Sequence, residues 1–293
     1  MDKSVSVIIP VFNASNAIQE VLEALQGQTY DRDCIEIIIV DNGSTDDTAE
    51  VVKKFPVLFL QKTEPRSPYA ARNLGLKKAS GEIIALIDAN KIPEKTWIME
   101  GVKALHADDA SLTAGDIRFR LGDEPTTSEI YDAITFNDNR KFVTEENGAV
   151  TGNLFFKKEI LEKTGLFPAE FRSGMDIWWT QNAIRNGFKL VFAENARVWC
   201  KPRKFQQILK KSYRVGKSHP FIQKQAGRST GYILAMIFRT FMPPKMNHLK
   251  RKILQIKAGS TLFRVWCVAW AAKIFMGFGR LHGLFFMNRQ ISS

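Results

Sequence analysis

Three short apolar runs, each leading to an amide or a carboxylate, constrain this chain more than any other feature. "VSVIIP" (5–10) leads to Asn13, "IEIIIV" (35–40) stops on Asp41, and "EIIALI" (82–87) stops on Asp88. Such runs, with no polar alternation, read as strands buried on both faces. After the first, "SNAIQEVLEALQGQ" places Ile18, Val21, Leu22 and Leu25 on one helical stripe. After the second, "DNGSTDDT" offers Ser44 or Thr45 as a helix cap with Asp46 and Asp47 in the first turn. "VLFLQ" reads as a further strand and "SPYAARNLGLKKASG" as a helix stopped at Gly81. Repeated strand–helix units predict an α/β fold with a doubly wound, mostly parallel sheet. Functional residues of such sheets gather at the carboxyl ends of strands, which brings Asn13, Asp41 and Asp88 together.

After about residue 110 the pattern changes. "SLTAGDIRFRLG" alternates Ile117, Phe119 and Leu121 against Arg118 and Arg120, as in a half-exposed strand. "GAVTGNLFFKKEIL" reads as loop, strand and helix, and "SGMDIWWTQNAIRNGFKLVF" as loop, helix and strand, the helix stopping near Gly187. From Lys204 on, the chain reads as basic and mainly helical, with breaks at Pro220, Gly227 and Pro243-Pro244. The expected organisation is one catalytic domain over 1–203, with halves of about 1–115 and 116–203, and a helical extension over 204–293.

Charge follows the same division. Net charge is +12, yet residues 195–293 hold 20 of the 42 lysines and arginines and none of the 30 acids. The first 194 residues keep 22 bases against 30 acids, a net of −8. A tail of one sign suits an anionic partner such as a membrane, a nucleic acid or a phosphorylated substrate. The three cysteines, Cys34, Cys200 and Cys267, show no CxxC spacing, which disfavours a zinc ribbon or disulfide framework and fits a reducing compartment. The opening "MDKSVSVIIPVFN" reads as a strand, not as a secretory signal.

No GxGxxG follows the first strand, no GxxxxGK[ST] occurs, and the four histidines show no metal-ligand spacing. The chain instead carries, in order, "VSVIIPVFN", "IIIVDNGSTDDT", "AARNLGLKKASGEIIALIDAN", "TGNLFFKKEIL" and "GMDIWWTQNAIRNGFKL". This series, over roughly residues 4–200, resembles family 2 glycosyltransferases, inverting nucleotide-sugar enzymes of the GT-A fold. The resemblance implies that Asp41 accepts a hydrogen bond from the nucleotide base, a turn-former opening "DNGS" being its plainer reading, that Arg72 contacts the nucleotide, a surface ion pair being its plainer reading, and that Pro10 and Phe12 wall the base pocket, Phe12 being a core residue otherwise. It makes Asn153 a sugar contact.

Asp88 and Asn90 occupy the family's DXD position, where oxygen ligands hold Mg²⁺ or Mn²⁺ against the diphosphate. One carboxylate plus an amide oxygen is compatible with a hard cation that shares phosphate oxygens; a metal-independent or idle site is the other reading. Lys91 reads as a surface lysine, with charge for the diphosphate as its alternative. Asp176 falls where the family has its general base, with Met175 in place of the preceding Glu. Apolar neighbours would raise its pKa and suit it to that role, and a helix N-cap is its plainer reading. Trp178 and Trp179 read as a sugar platform or as core.

The expected activity is transfer of one sugar, with inversion, from a nucleoside diphosphate sugar (UDP favoured by the resemblance) to a hydroxyl of a glycan or lipid-linked glycan, in cell-envelope polysaccharide synthesis. A single transfer fits the absence of the QxxRW motif of processive relatives, since "KKSYRVGK" stands in its place. An idle sugar-nucleotide-binding protein is the alternative. A nucleic-acid binder is a weaker one, the tail carrying no recognition motif, and no nucleic acid is expected as a partner. The tail is expected to hold a cytoplasmic protein on the inner membrane's cytoplasmic face. Residues 265–279 would span only roughly 22 Å as a helix, short of the roughly 30 Å hydrocarbon core. The competing reading folds the tail onto the catalytic domain.

Overall fold

The computed structural model describes residues 4–62, 64, 66–107, 109–135, 138–255 and 262–291. In chain order, β1 is Val5–Val11, α1 Ser15–Gln26, β2 Ile35–Asp41, α2 Thr48–Val52, β3 Leu58–Gln61, α3 Pro68–Lys78 and β4 Ile83–Ile87. Then come β5 Lys91–Pro93, α4 Trp97–Ala107, β6 Leu112–Phe119, α5 Thr127–Thr135, α6 Asn139–Lys141, β7 Asn153–Lys157, α7 Leu161–Thr164, α8 Met175–Arg185 and β8 Leu190–Cys200. Four helices close the chain: α9 Phe205–Gln225, α10 Thr230–Phe241, α11 Met246–Gln255 and α12 Leu262–Ile291.

These elements form two compact units. The first comprises Met1–Arg118, Asn137–Phe171 and Met175–Lys201; the second comprises Phe119–Phe136, Arg172–Gly174 and Pro202–Ser293. The first unit carries one eight-stranded sheet in the order β3-β2-β1-β4-β7-β6-β8-β5. The strands named by the apolar runs pair in parallel, β1 with β2 and β4, and β2 with β3. Beyond β4 the sheet turns antiparallel: β7 pairs with β4 and with β6, and β5 with β8. The sheet is therefore mixed, parallel where strand–helix units repeat and antiparallel where they stop.

The core explains the arrangement. Val5, Val7 and Ile9 of β1 and Ile83, Ala85 and Ile87 of β4 pack in one cluster with the α1 stripe, Trp97 and Phe155. Each fully buried aliphatic side chain contributes about 1.5–3 kcal/mol, so these runs are held as strands whatever follows them. Ser67 caps α3 by accepting from Tyr69 N at 3.2 Å, with Pro68 in its first turn. The cap of α2 is Asp47, so that helix starts later than Ser44 or Thr45 suggested. Ser44 instead hydrogen-bonds Asp41, and Thr45 bonds Asn13.

In the second unit α9 runs through Pro220 without ending, contrary to the break expected there. The chain does break after Gln225, near Gly227, and again after Phe241, before Pro243. Backbones of α9 and α12 approach so closely that a side chain on Gly279 would strike the Tyr213 carbonyl, and one on Gly283 the Lys217 carbonyl. Ile130 and Ile134 of α5 share a cluster with Leu249, Ile253, Val265 and Ala269.

The sequence-based length of the last apolar stretch is corrected. α12 is continuous over 30 residues, about 45 Å. Its segment Leu262–Phe285 is, by length and composition, long and apolar enough to cross a bilayer. The shorter measure took Arg264 and Arg280 as stops, whereas the helix carries both in its length.

Candidate active site

The candidate site lies wholly in the first unit and centres on Asp88, one residue beyond β4. Its carboxylate is held from both sides by buried cations. Arg72 of α3 donates from Nη2 to Oδ1 at 2.6 Å, and Lys91 Nζ pairs with Oδ2. Arg72 is 4% exposed and Lys91 3%, while the Asp88 side chain keeps 35% exposure. Lys91 is thus no surface lysine: β5 turns inward after Asn90 and buries its stem. An arginine Nε beside this pair, on Arg72, is buried without a protein partner, as is Asn42 Oδ1. Buried polar atoms left this way are uncommon.

The "TGN" stretch belongs to this arrangement through its glycine. In the antiparallel register Ile87 faces Asn153, which sets Gly152 opposite Asp88. A Cβ on Gly152 would lie 2.7 Å from Lys91 Cε, 2.8 Å from its Nζ and 2.9 Å from Asp88 Oδ2. Gly152→Ala is expected to push Lys91 off Asp88 and to weaken donor binding at least tenfold; calorimetric titration with a sugar nucleotide checks this. Unchanged affinity would mean that the pair has room to shift. Asn153, singled out as a sugar contact, is 0% exposed. Its Oδ1 accepts from Trp97 Nε1 at 2.8 Å and its amide donates to Asp116 O and Ala196 O. The structure places it inside, tying α4, β6 and β8 together.

Asp176 lies in the first turn of α8, second residue of the helix, and so is not its cap. Its Oδ1 accepts from Ile177 N at 3.1 Å and from the Tyr69 hydroxyl at 3.2 Å. The same hydroxyl accepts from Met175 N at 3.1 Å. Desolvation raises the Asp176 carboxyl above the ordinary carboxylate range, opposed chiefly by the Arg72 charge. The residue nonetheless keeps some solvent contact. Tyr69 is raised far out of reach of ionisation by burial and by Asp176, so it remains a hydroxyl donor. The Arg72 guanidinium lies 5.7 Å from the Tyr69 ring centre. One line of groups therefore runs Asp176, Tyr69, Arg72, Asp88, Lys91. Tyr69 was not singled out from the sequence, although its spacing of three from Arg72 on α3 puts both on one helix face.

The remaining residues sort plainly. Asp41, buried at the end of β2, accepts from Ser44 N at 3.0 Å and Ser44 Oγ at 2.6 Å. Asn13 adopts φ 46° and binds Thr45 N at 2.8 Å, which joins the loops after β1 and β2. Pro10 is half-buried, and Phe12 is exposed, which removes its core reading. Trp179 is core: fully buried, it packs with tilted rings against Phe156 and Phe167 and donates to Gly165 O. Trp178 is half-buried and remains available as a platform.

A divalent ion would find two protein oxygens here, Asp88 and the exposed Asn90. Among the described residues no three His, Cys, Asp or Glu side chains cluster as a metal site. This donor set fits Mg²⁺ or Mn²⁺ only in company with phosphate oxygens, which is the usual mode for ions held by one or two carboxylates.

The profile of glycosyl transferase family 2 matches residues 6–165. The glycosyltransferase AglE of Haloferax volcanii is 33% identical over 289 residues, 94% of this chain and 95% of that one. A dolichyl N-acetyl-alpha-D-glucosaminyl phosphate 3-beta-D-2,3-diacetamido-2,3-dideoxy-beta-D-glucuronosyltransferase of Methanococcus voltae is 28% identical over 203 residues, 64% of this chain and 63% of that one. The chain belongs to glycosyl transferase family 2 and is a glycosyltransferase. Its fold is of GT-A type, like that of the mannosyltransferase PcManGT from Pyrobaculum calidifontis, solved with GDP-Man and Mn²⁺ (TM-score 0.63, 18% identity, 98% of this chain and 88% of that one). The Staphylococcus aureus TarS fragment 1–349, solved with UDP-GlcNAc, is similar too (TM-score 0.57, 18% identity, 97% and 92% covered).

Proposed function

We propose that this glycosyltransferase moves one sugar from a nucleoside diphosphate donor, UDP favoured, to a hydroxyl of a glycan or lipid-linked glycan, with inversion. The observation that carries the reading is the line of groups from Asp176, which accepts from the Tyr69 hydroxyl, past the Tyr69 ring beside the Arg72 guanidinium, to the cations around Asp88. Asp176 takes the acceptor proton. The acceptor oxygen forms a bond to the anomeric carbon on the face opposite the diphosphate, and the bond to the departing phosphate oxygen breaks with its electron pair. Arg72 and Lys91 face the charge that develops there, which is stabilisation by preset groups in a partly dry site. A divalent ion held by Asp88 and Asn90 would add Lewis-acid stabilisation of the diphosphate. Asp41, Pro10 and Phe12 are assigned to the base. A lipid-linked acceptor is supported by the Methanococcus relative, whose name places a dolichyl phosphate on its substrate.

A thermal-shift screen of UDP-, GDP- and other sugar nucleotides, with and without Mn²⁺, tests donor and metal together, since a ligand of the folded state raises its melting temperature. A UDP-sugar is expected to give the largest shift, and Mn²⁺ to enlarge it while giving little alone. A shift confined to guanosine donors would overturn the base assignment, and one indifferent to Mn²⁺ the metal assignment.

The second unit is assigned to an anionic membrane surface on the cytoplasmic side. It holds ten of the fourteen large apolar side chains exposed among the described residues, and no acid follows Glu194. Apolar burial in the interface combined with about 1 kcal/mol per basic residue near an anionic leaflet supports reversible seating. Flotation is expected to require anionic lipid and to weaken in high salt. Protein that stays behind anionic liposomes at low salt removes this assignment and leaves sugar transfer untouched.

A further inference from the structure

The Tyr69 hydroxyl is engaged in every direction open to it. It donates to Asp176 Oδ1 at 3.2 Å, and its oxygen accepts from Met175 N at 3.1 Å and from Asp176 N at 3.4 Å. A phenol has one proton to give and two lone pairs, and all are used on one short stretch of chain. Met175 and Asp176 open α8, where backbone N–H groups have no partner within the helix. The start of α8 is thus capped by a side chain that reaches it from α3.

The ring that carries the hydroxyl is itself fixed. Tyr69 is 3% exposed and stacks on Phe167, with ring centres 5.8 Å apart. Asn73, one turn further along α3, donates to Phe167 O at 2.7 Å and accepts from Phe167 N at 3.0 Å. The stacking partner is therefore gripped by the same helix that bears Tyr69. Spacings of three and four put Tyr69, Arg72 and Asn73 on one face of that helix.

This arrangement distinguishes the two oxygens of Asp176. Oδ1 accepts from the Tyr69 hydroxyl and from Ile177 N at 3.1 Å, which fills both of its lone pairs. Oδ2 takes no hydrogen bond among the described residues. Turning the carboxylate over would break the bonds at Oδ1, so the two oxygens do not exchange freely.

We propose that Tyr69 is a positioning residue for sugar transfer: its hydroxyl locks Asp176 by Oδ1 and leaves Oδ2 to take the proton of the acceptor hydroxyl. The proposal deepens the assignment of Asp176 as general base and rests on it.

Burial raises the Asp176 carboxyl, and the Arg72 charge chiefly opposes this; the Ile177 amide and the Tyr69 hydroxyl also lower it, and Asp88 raises it. Carbon-13 NMR of the full chain, labelled at its aspartate carboxyl carbons, reads this titration without substrate, the Asp176 signal being the one that Asp176→Asn removes. Tyr69→Phe keeps the ring and loses the donor, and is expected to raise the midpoint by about half a pH unit or more. Tyr69→3-fluorotyrosine has an electron-poor phenol of nearly the same shape, a stronger donor, and is expected to lower it. The fluorinated chain keeps every contact and so decides even if Tyr69→Phe fails to fold. Trp179→Phe removes the Nε1 bond to Gly165 O from the same helix; it should lower the melting temperature and leave the midpoint in place. Hydrolysis of the sugar nucleotide that gives the largest thermal shift, with water as acceptor, should slow roughly tenfold or more in Tyr69→Phe, with the KM for the donor within about twofold. A midpoint that the Tyr69 variants leave in place or that Trp179→Phe moves equally, or wild-type hydrolysis by Tyr69→Phe, would overturn the positioning role. Hydrolysis undiminished in Asp176→Asn would instead remove the base itself, so the two failures are told apart.

Discussion

Asp176→Asn is expected to lower turnover about 10²–10⁴-fold, the usual contribution of a general base, and to leave donor affinity unchanged. Asparagine keeps an oxygen at the place where Tyr69 and Ile177 donate, so the geometry should persist while the proton acceptor is lost. The same change is expected to raise the melting temperature at neutral pH. Burial puts the Asp176 carboxyl above its ordinary range. Stability from such a group is fully present below the unfolded-state pKa and is lost as pH rises through the higher folded value. At neutral pH the ionised carboxylate is therefore a net cost, which an amide removes. In the wild-type enzyme the acid limb of kcat/KM should fall at a pH above the ordinary carboxylate range for the same reason. Near wild-type transfer by the variant would remove Asp176 from the chemistry, and a lower melting temperature would show that its negative charge stabilises the fold.

Asp88→Ala carries the second large effect. It leaves Arg72 and Lys91 buried side by side with no shared counter-charge. Removing one partner from a buried ion pair costs about 3–5 kcal/mol; the Asp88 side chain is about one-third exposed, which places the expectation toward the lower figure. Urea denaturation should show the midpoint falling, and calorimetry should show donor affinity and its Mn²⁺ dependence lost together. A sugar nucleotide should partly restore stability, its diphosphate meeting the two cations. Normal donor binding by this variant would place the diphosphate elsewhere.

Much of the site was legible because its parts are local. Asp41 and Asp88 stand where apolar runs stop, and Arg72 sits on a helix whose Ser67-Pro68 start is a capping signal. Lys91 was misread because nothing near it announces burial; its stem is covered where β5 pairs with β8. Asn153 was misread for the converse reason. The family resemblance suggested a sugar contact, yet its donors and acceptors are consumed by residues up to 56 positions away. Trp179 and Phe12 were ambiguous between surface and core until their neighbours were known. The metal ligands were read as a pair, and the structure adds that Asp88 is already shared with two cations.

What the sequence by itself determined is whatever depends on short-range periodicity and charge: the parallel strands, the helix stripes, the carboxylates at strand ends, and the division between an acidic first part and a basic tail. Burial of a continuous apolar run admits few alternatives, so these features are fixed locally. The tertiary structure alone decided which polar groups are dry and which face one another. It joined Tyr69 to Asp176 across 107 positions and set Gly152 against Asp88 through an antiparallel strand inserted beside β4. The physical reason is that desolvation and Coulomb energy depend on distance in space and on what excludes water, and neither is written in the spacing of residues along the chain.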